Sequence, residues 1–173
     1  MLRIRGLLSL VLFLRSASAF AADPITAHEA VASDDGKQFS QRFSLGKKFV
    51  VVEIRGRAFD RNKHKLTLDD AGGVRRVDGH RALGTDAGPP DYLKSEIASM
   101  DVSWNGTRHK VDKRFFADCF NTSALPSRVL VSDDFQAVMI TLSGGDGAGA
   151  YNVTWIVSDE GVVRRFVAET GDF

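Results

Sequence analysis

The chain has 173 residues, 43% hydrophobic and 26% charged, with a formal net charge of +1. That length suits one domain large enough to bury a core without staples, and the near-neutral balance excludes the basic footprint of a nucleic-acid binder. The single cysteine, Cys119, excludes an internal disulfide.

Residues 1–21 have the form of a signal peptide. Arg3 and Arg5 make a basic start and residues 6–14 a short apolar stretch. Ala19-Phe20-Ala21 offers a small-x-small cleavage site, with Ala17-Ser18-Ala19 as the alternative. The apolar stretch is too short to span a bilayer, and no later stretch is long and apolar enough to do so. The reading is an exported protein, periplasmic or extracellular, with no integral membrane segment after cleavage. Cleavage removes Arg3, Arg5 and Arg15 and no acids, leaving 20 basic against 22 acidic residues, a net −2. N-terminal sequencing of protein from a secretory host should start at Ala22 or Phe20. An intact Met1 on exported protein would overturn this reading.

Residues 22–37 are polar and read as a flexible leader to a single β domain over residues 38–173. Residues 39–45 and 49–59 are the first strands, with Lys47 and Lys48 after Gly46 at the turn. Val50, Val52 and Ile54 share one face of the second strand. Residues 65–68 form a short strand before the turn cluster Asp69-Asp70-Ala71-Gly72-Gly73. Residues 77–94 carry no clear period and read as a long loop, functional or poorly ordered. Asp78, Asp86 and Asp91 within it are not spaced as in an EF-hand, and aspartates are ordinary turn residues. No metal site and no cofactor is expected.

Ala98, Met100, Val102 and Trp104 alternate, and Asn105-Gly106 follows as a two-residue hairpin signal. A two-residue loop pairs Trp104 with Thr107, Val102 with His109 and Met100 with Val111. His109 then shares a face with Trp104, as a hydrogen-bonded histidine at the core margin. Residues 112–121 place apolar side chains at Phe115, Phe116, Cys119 and Phe120, one or two helical turns with Asp112 as N-cap. Cys119 in that cluster reads as buried and inert.

Residues 129–131 form a strand, and Ser132, Asp133 and Asp134 turn it into the most strand-like part of the chain. Residues 135–142 are almost wholly apolar and read as a strand covered on both faces. After a glycine-rich loop, Tyr151, Val153 and Trp155 alternate with Asn152, Thr154 and Ile156. Residues 162–168 form the last strand. Roughly seven to nine short strands with regular turns predict an all-β fold, a β-sandwich or small antiparallel barrel with one short helix.

The loop between the central strands is Ser143-Gly144-Gly145-Asp146-Gly147-Ala148-Gly149-Ala150. It leads into a strand pattern, not a helix, no Lys-Ser or Lys-Thr pair follows, and Asp146 would repel phosphate, so it is not a nucleotide cradle. Nor does any catalytic signature appear. His28, His64, His80 and His109 form no His-x-Glu-x-x-His, and Gly-x-Ser-x-Gly is absent. A serine, a glycine run and a tyrosine on one hairpin of an exported β-protein resemble the periplasmic inhibitors of I-type lysozymes. The run Phe49-Val50-Val51-Val52-Glu53-Ile54-Arg55-Gly56 is similar to a segment of the same family. That resemblance implies a small β-sandwich whose loop enters a lysozyme cleft. The partner-binding residues it implies are Ser143 and Tyr151, with Gly144, Gly145, Gly147 and Gly149 between them; Asp146, which departs from that family's motif, joins Ser143 and Tyr151 in the partner-binding tip that the dense glycine run itself suggests. The expectation is therefore a non-catalytic binding module with a protein partner such as a lysozyme. The alternatives are an exported hydrolase with an unrecognised site in residues 77–94, and a structural cell-envelope protein.

Overall fold

The computed structural model describes residues 25–86 and 88–169. The signal-peptide reading of residues 1–21 lies outside the described residues, as do residues 22–24 and the end of the chain from 170. The strands in chain order are β1 (Thr26–Ala27), β2 (Val31–Ala32), β3 (Gln38–Leu45), β4 (Lys48–Ala58), β5 (Leu66–Leu68), β6 (Val74–Val77), β7 (His80–Arg81), β8 (Ser95–Trp104), β9 (Thr107–Lys110), β10 (Arg128–Val131), β11 (Ala137–Gly144), β12 (Tyr151–Ser158) and β13 (Gly161–Glu169). They form one sheet in the order β1-β3-β4-β8-β9 with β2 also on β3, a second in the order β10-β11-β12-β13, and a small third, β5-β6-β7. All pairs are antiparallel.

The fold is all-β, and the two large sheets form a sandwich. Val50, Val52 and Ile54 of β4 and Met100, Val102 and Trp104 of β8 bury into one cluster. From the other sheet it takes Val138, Ile140 and Leu142 of β11 and Tyr151, Val153, Trp155 and Val157 of β12. The period of two places each set on one face, and joining two such faces is how antiparallel sheets hide them. Both sheets keep separate edges, so the arrangement is not a closed barrel. The third sheet packs its own smaller cluster, with Val74, Val77, Ala82, Leu93 and Phe120.

Several local expectations are altered by the tertiary structure. β11 is not covered on both faces: its residues alternate between buried and half-buried, and Ser143 is exposed. Met139 and Thr141 lie on its outer side, beside Ile156 and Thr154 of β12. In β8, Ala98 does not face inward with Met100. The register jumps from Arg55↔Ser99 to Gly56↔Ile97, leaving Ala98 as a bulge. One extra residue flips the faces beyond it, so Ile97 is buried and Ala98 exposed. Residues 112–121 make a single 3-10 turn, Lys113–Phe115, capped by the Asp112 carboxylate on Arg114 N–H. No α-helix forms there. Phe116 and Cys119 belong to the main core whereas Phe120 belongs to the smaller cluster, and one helix face would not serve both. The polar stretch ahead of residue 38 does not hang free, since β1 and β2 both pair with β3.

The Asn105-Gly106 hairpin has the expected register, Trp104↔Thr107 and Val102↔His109. Asn105 and Gly106 have φ of 49° and 88°, the two positive values of a type I′ turn. The Asn105 carboxamide oxygen also accepts from Phe49 N–H at 2.9 Å, tying the tip to β4. A Cβ on Gly106 would meet only the Phe49 ring, at 4.0 Å. Gly106→Val should therefore cost about 1 kcal/mol or more, from left-handed backbone strain and not from collision. An unchanged denaturant midpoint would contradict the turn.

Candidate functional site

The glycine loop is built from its strand ends upward. β11 and β12 pair as far as Ser143↔Asn152 and Gly144↔Tyr151. Ser143 and Asn152 fall on the outer face, where the serine hydroxyl donates to the Asn152 carboxamide oxygen at 2.7 Å. Tyr151 falls on the inner face with Val153 and Trp155. It is buried, and its hydroxyl donates to the Phe120 carbonyl at 2.9 Å. Tyr151 is therefore not presented to a partner, because the alternation that carries Trp155 inward carries it too. Burial holds its phenol well above the ordinary value. Gly144 is inner as well, and a Cβ there would sit 2.5 Å from the Tyr151 ring.

The remaining loop glycines serve a close approach of two chain segments. Gly145 has φ of 66°, and a Cβ on it would overlap the Gly149 carbonyl and lie 2.9 Å from Gly84 Cα. A Cβ on Gly149 would meet Asp86 N at 2.8 Å. One on Gly84, whose φ is 80°, would lie 2.5 Å from the Phe120 carbonyl. The loop is therefore laid against residues 84–86 backbone to backbone, which only residues without side chains permit. Asp146, Gly147 and Ala148 are exposed beyond that contact, and Gly147–Gly149 make a 3-10 turn.

This contact makes one wall of a cleft of about 690 Å³, within the range of small-ligand sites, about 300–1,000 Å³. Gly84, Thr85 and Asp86 line that wall together with Gly145 and Asp146. Gly56, Arg57 and Ala58 at the end of β4, with Lys94 and Ser95 at the start of β8, line the wall opposite. Residues 121–124 lie between them. That segment is held from both sides: Phe120 bridges to Glu96, Thr122 bridges to Gly144, and the Asn121 carboxamide donates to the Gly84 carbonyl at 2.7 Å. Tyr92 lines the rim and is 59% exposed. A Cβ on Gly88 would strike its ring, so the ring lies against Gly88 backbone. Residues 77–94, read as one irregular loop, thus contribute β7, a 3-10 turn at Pro90–Tyr92, and two parts of the cleft.

Arg57 is held from beneath by a polar chain, buried at His64 and Glu96 and open to solvent at Asp78, that no sequence motif announces. Its Nε donates to Glu96 Oε1 at 2.7 Å, and the same oxygen lies 3.3 Å from His64 Nε2. His64 Nδ1 faces Asp78 Oδ2 at 2.8 Å, and the imidazole stacks on Phe59 at 4.7 Å. His64 and Glu96 are almost wholly buried, whereas about half of the Arg57 side chain is exposed, 49%. Asp78 also accepts from Lys65 N–H, which, ahead of the neighbouring His64, holds its carboxyl below the usual range. These groups come from β4, the turn before β5, the turn after β6, and β8. No spacing in the sequence links them, and the chain they make positions a guanidinium at the cleft.

The other candidates do not assemble. Cys119 is buried, and burial first, then the Asp118 carboxylate, pushes its thiol up to about 12; thiolate chemistry is closed to it. His109 is half-buried and meets the Trp104 ring edge-on at 5.6 Å, an aromatic contact in place of the expected hydrogen bond. Among the described residues no three acidic, histidine or cysteine side chains, Asp78, Asp86 and Asp91 included, gather as a metal site. No protein-family model, curated protein sequence or solved structure matches this chain.

Proposed function

We propose that this chain is an exported binding module and that it engages its partner at the cleft bordered by Gly145 and Asp146. The carrying observation is that the glycine loop is packed by its backbone against residues 84–86 and forms a wall. A loop that existed only to join two strands would need two to five residues and no such docking. A preformed concave surface with a few fixed polar groups is the usual form of a binding site. Export is supported by the basic start and short apolar stretch of residues 1–21. The first partner class to test is a lysozyme, which the resemblance implies.

The test compares three variants against a panel of lysozymes, with thermal stability measured in parallel. Asp146→Arg and Lys94→Glu lie on opposite walls and should each reduce inhibition at least tenfold at an unchanged melting temperature. Ser143→Ala, on the outer sheet face, should leave it intact. Loss of inhibition through Ser143→Ala alone would move the interface from the cleft to the outer face of the hairpin. Absence of inhibition by the unaltered protein across the panel would remove lysozymes as the partner.

A further inference from the structure

The two walls of the cleft carry opposite charge. Arg57 and Lys94 lie on the wall from β4 and β8, whose backbones are joined there by Phe59 N–H donating to the Lys94 carbonyl at 2.9 Å. Asp86 and Asp146 lie on the facing wall, fixed to one another by the contact of Gly149 with Asp86. Asp35 and Lys37 also line the Arg57 wall and pair with each other at 2.9 Å, and Glu96 lies under Arg57, so that wall keeps an excess of one positive charge through Lys94. Of these four groups, only Arg57 has an ion-pair partner among the described residues, and Glu96 takes only its Nε. The two terminal nitrogens of the guanidinium retain the fork that suits a carboxylate. Beside them, Tyr92 offers an exposed ring backed by Gly88. Ala58 and Ala124 add small apolar surface.

We infer that the cleft takes a dipolar ligand of amino-acid type, its carboxylate toward Arg57 and Lys94, its ammonium toward Asp86 and Asp146, and its side chain on Tyr92. A ligand of one sign would be attracted by one wall and repelled by the other, whereas a dipole aligned across the cleft meets both favourably. An aromatic or apolar side chain would gain from the tyrosine ring. The same chemistry belongs to a free amino acid and to a short peptide with free termini. This inference rests on the cleft being the binding surface.

The test is an amide-resonance titration of the purified protein with free tyrosine and with alanyl-tyrosyl-alanine. The tripeptide is used with free termini, N-acetylated, and C-amidated. The expected result is that one of the uncapped ligands shifts Gly84, Ser95, Thr122 and Gly145. Acetylation and amidation of the peptide should each weaken binding at least tenfold, unless free tyrosine is the tighter ligand, in which case tyrosine amide should be tenfold weaker than tyrosine. The tighter uncapped ligand identifies the source. Lys94→Gln should erase most of the effect of amidation, and Asp146→Asn most of the effect of acetylation. Equal binding of capped and free ligands in the cleft would overturn the dipolar inference and leave the cleft as the site. Shifts confined to other parts of the fold would overturn both. No shift with any ligand at millimolar concentration would overturn the dipolar inference, while the lysozyme panel judges the cleft separately.

Discussion

Replacing Tyr151 with alanine should lower stability by about 3–5 kcal/mol, the range for removing a large aromatic from a packed core. The ring is buried against Gly144 and Gly84, and the hydroxyl is the donor to the Phe120 carbonyl. Tyr151→Phe isolates the second contribution. It keeps the ring and strips one hydrogen bond, at about 1 kcal/mol with a further cost for the carbonyl left without its donor. Chemical denaturation of the two variants gives both values. A Tyr151→Ala midpoint close to that of the unaltered protein would mean that the side chain is not in the core, and would restore it as a candidate contact residue.

Gly145→Val should be damaging for a different reason. The backbone there has φ of 66°, and a Cβ has no room between the Gly149 carbonyl and Gly84 Cα. The left-handed conformation costs a non-glycine residue about 1–2 kcal/mol, and forcing atoms into a filled contact about 1–3 kcal/mol more. Gly147→Val is the control. Its φ is also positive, at 51°, but a Cβ there meets nothing within 4 Å. It should therefore show the conformational cost without the collision. Equal losses in the two variants would mean that the loop is not docked on residues 84–86. A larger loss at Gly145, accompanied by weakened partner binding, is the expected pattern.

The strands are legible in the sequence because alternation is a local signal. The inward set of Tyr151, Val153 and Trp155 follows from a period of two, and the Asn105-Gly106 register follows from turn chemistry. What the sequence hides is non-local. Ala98 continues the apolar alternation of β8 faithfully, and only the pairing of β8 with β4 reveals that it is the bulge. Phe135 reads as the first residue of a strand, yet it sits at φ of 62° in the turn before β11, with its ring in the core. Tyr151 can be assigned to a face but not to a depth, because its cover includes the distant Gly84 and Phe120. The glycine run is conspicuous, but its use is hidden, since Gly84 and Asp86 lie some sixty positions earlier in the chain. The cleft combines segments from at least four regions, and His64, Asp78 and Glu96 meet only once β5, β6 and β8 are in place.

The segment from Cys119 to Thr122 touches Leu83, Glu96 and Gly144 through isolated bridges, and this has a thermodynamic consequence. A pocket whose base is pinned to both halves of the sandwich has no independent existence: when the halves separate, the ligand must leave. Ligand occupancy and global unfolding are then linked by mass action. A ligand present at a hundred times its dissociation constant should stabilise the whole domain by about 2.7 kcal/mol. Melting temperature thus becomes an assay for unknown ligands, and a compound library screened by thermal shift would register occupants of the cleft whatever their chemistry.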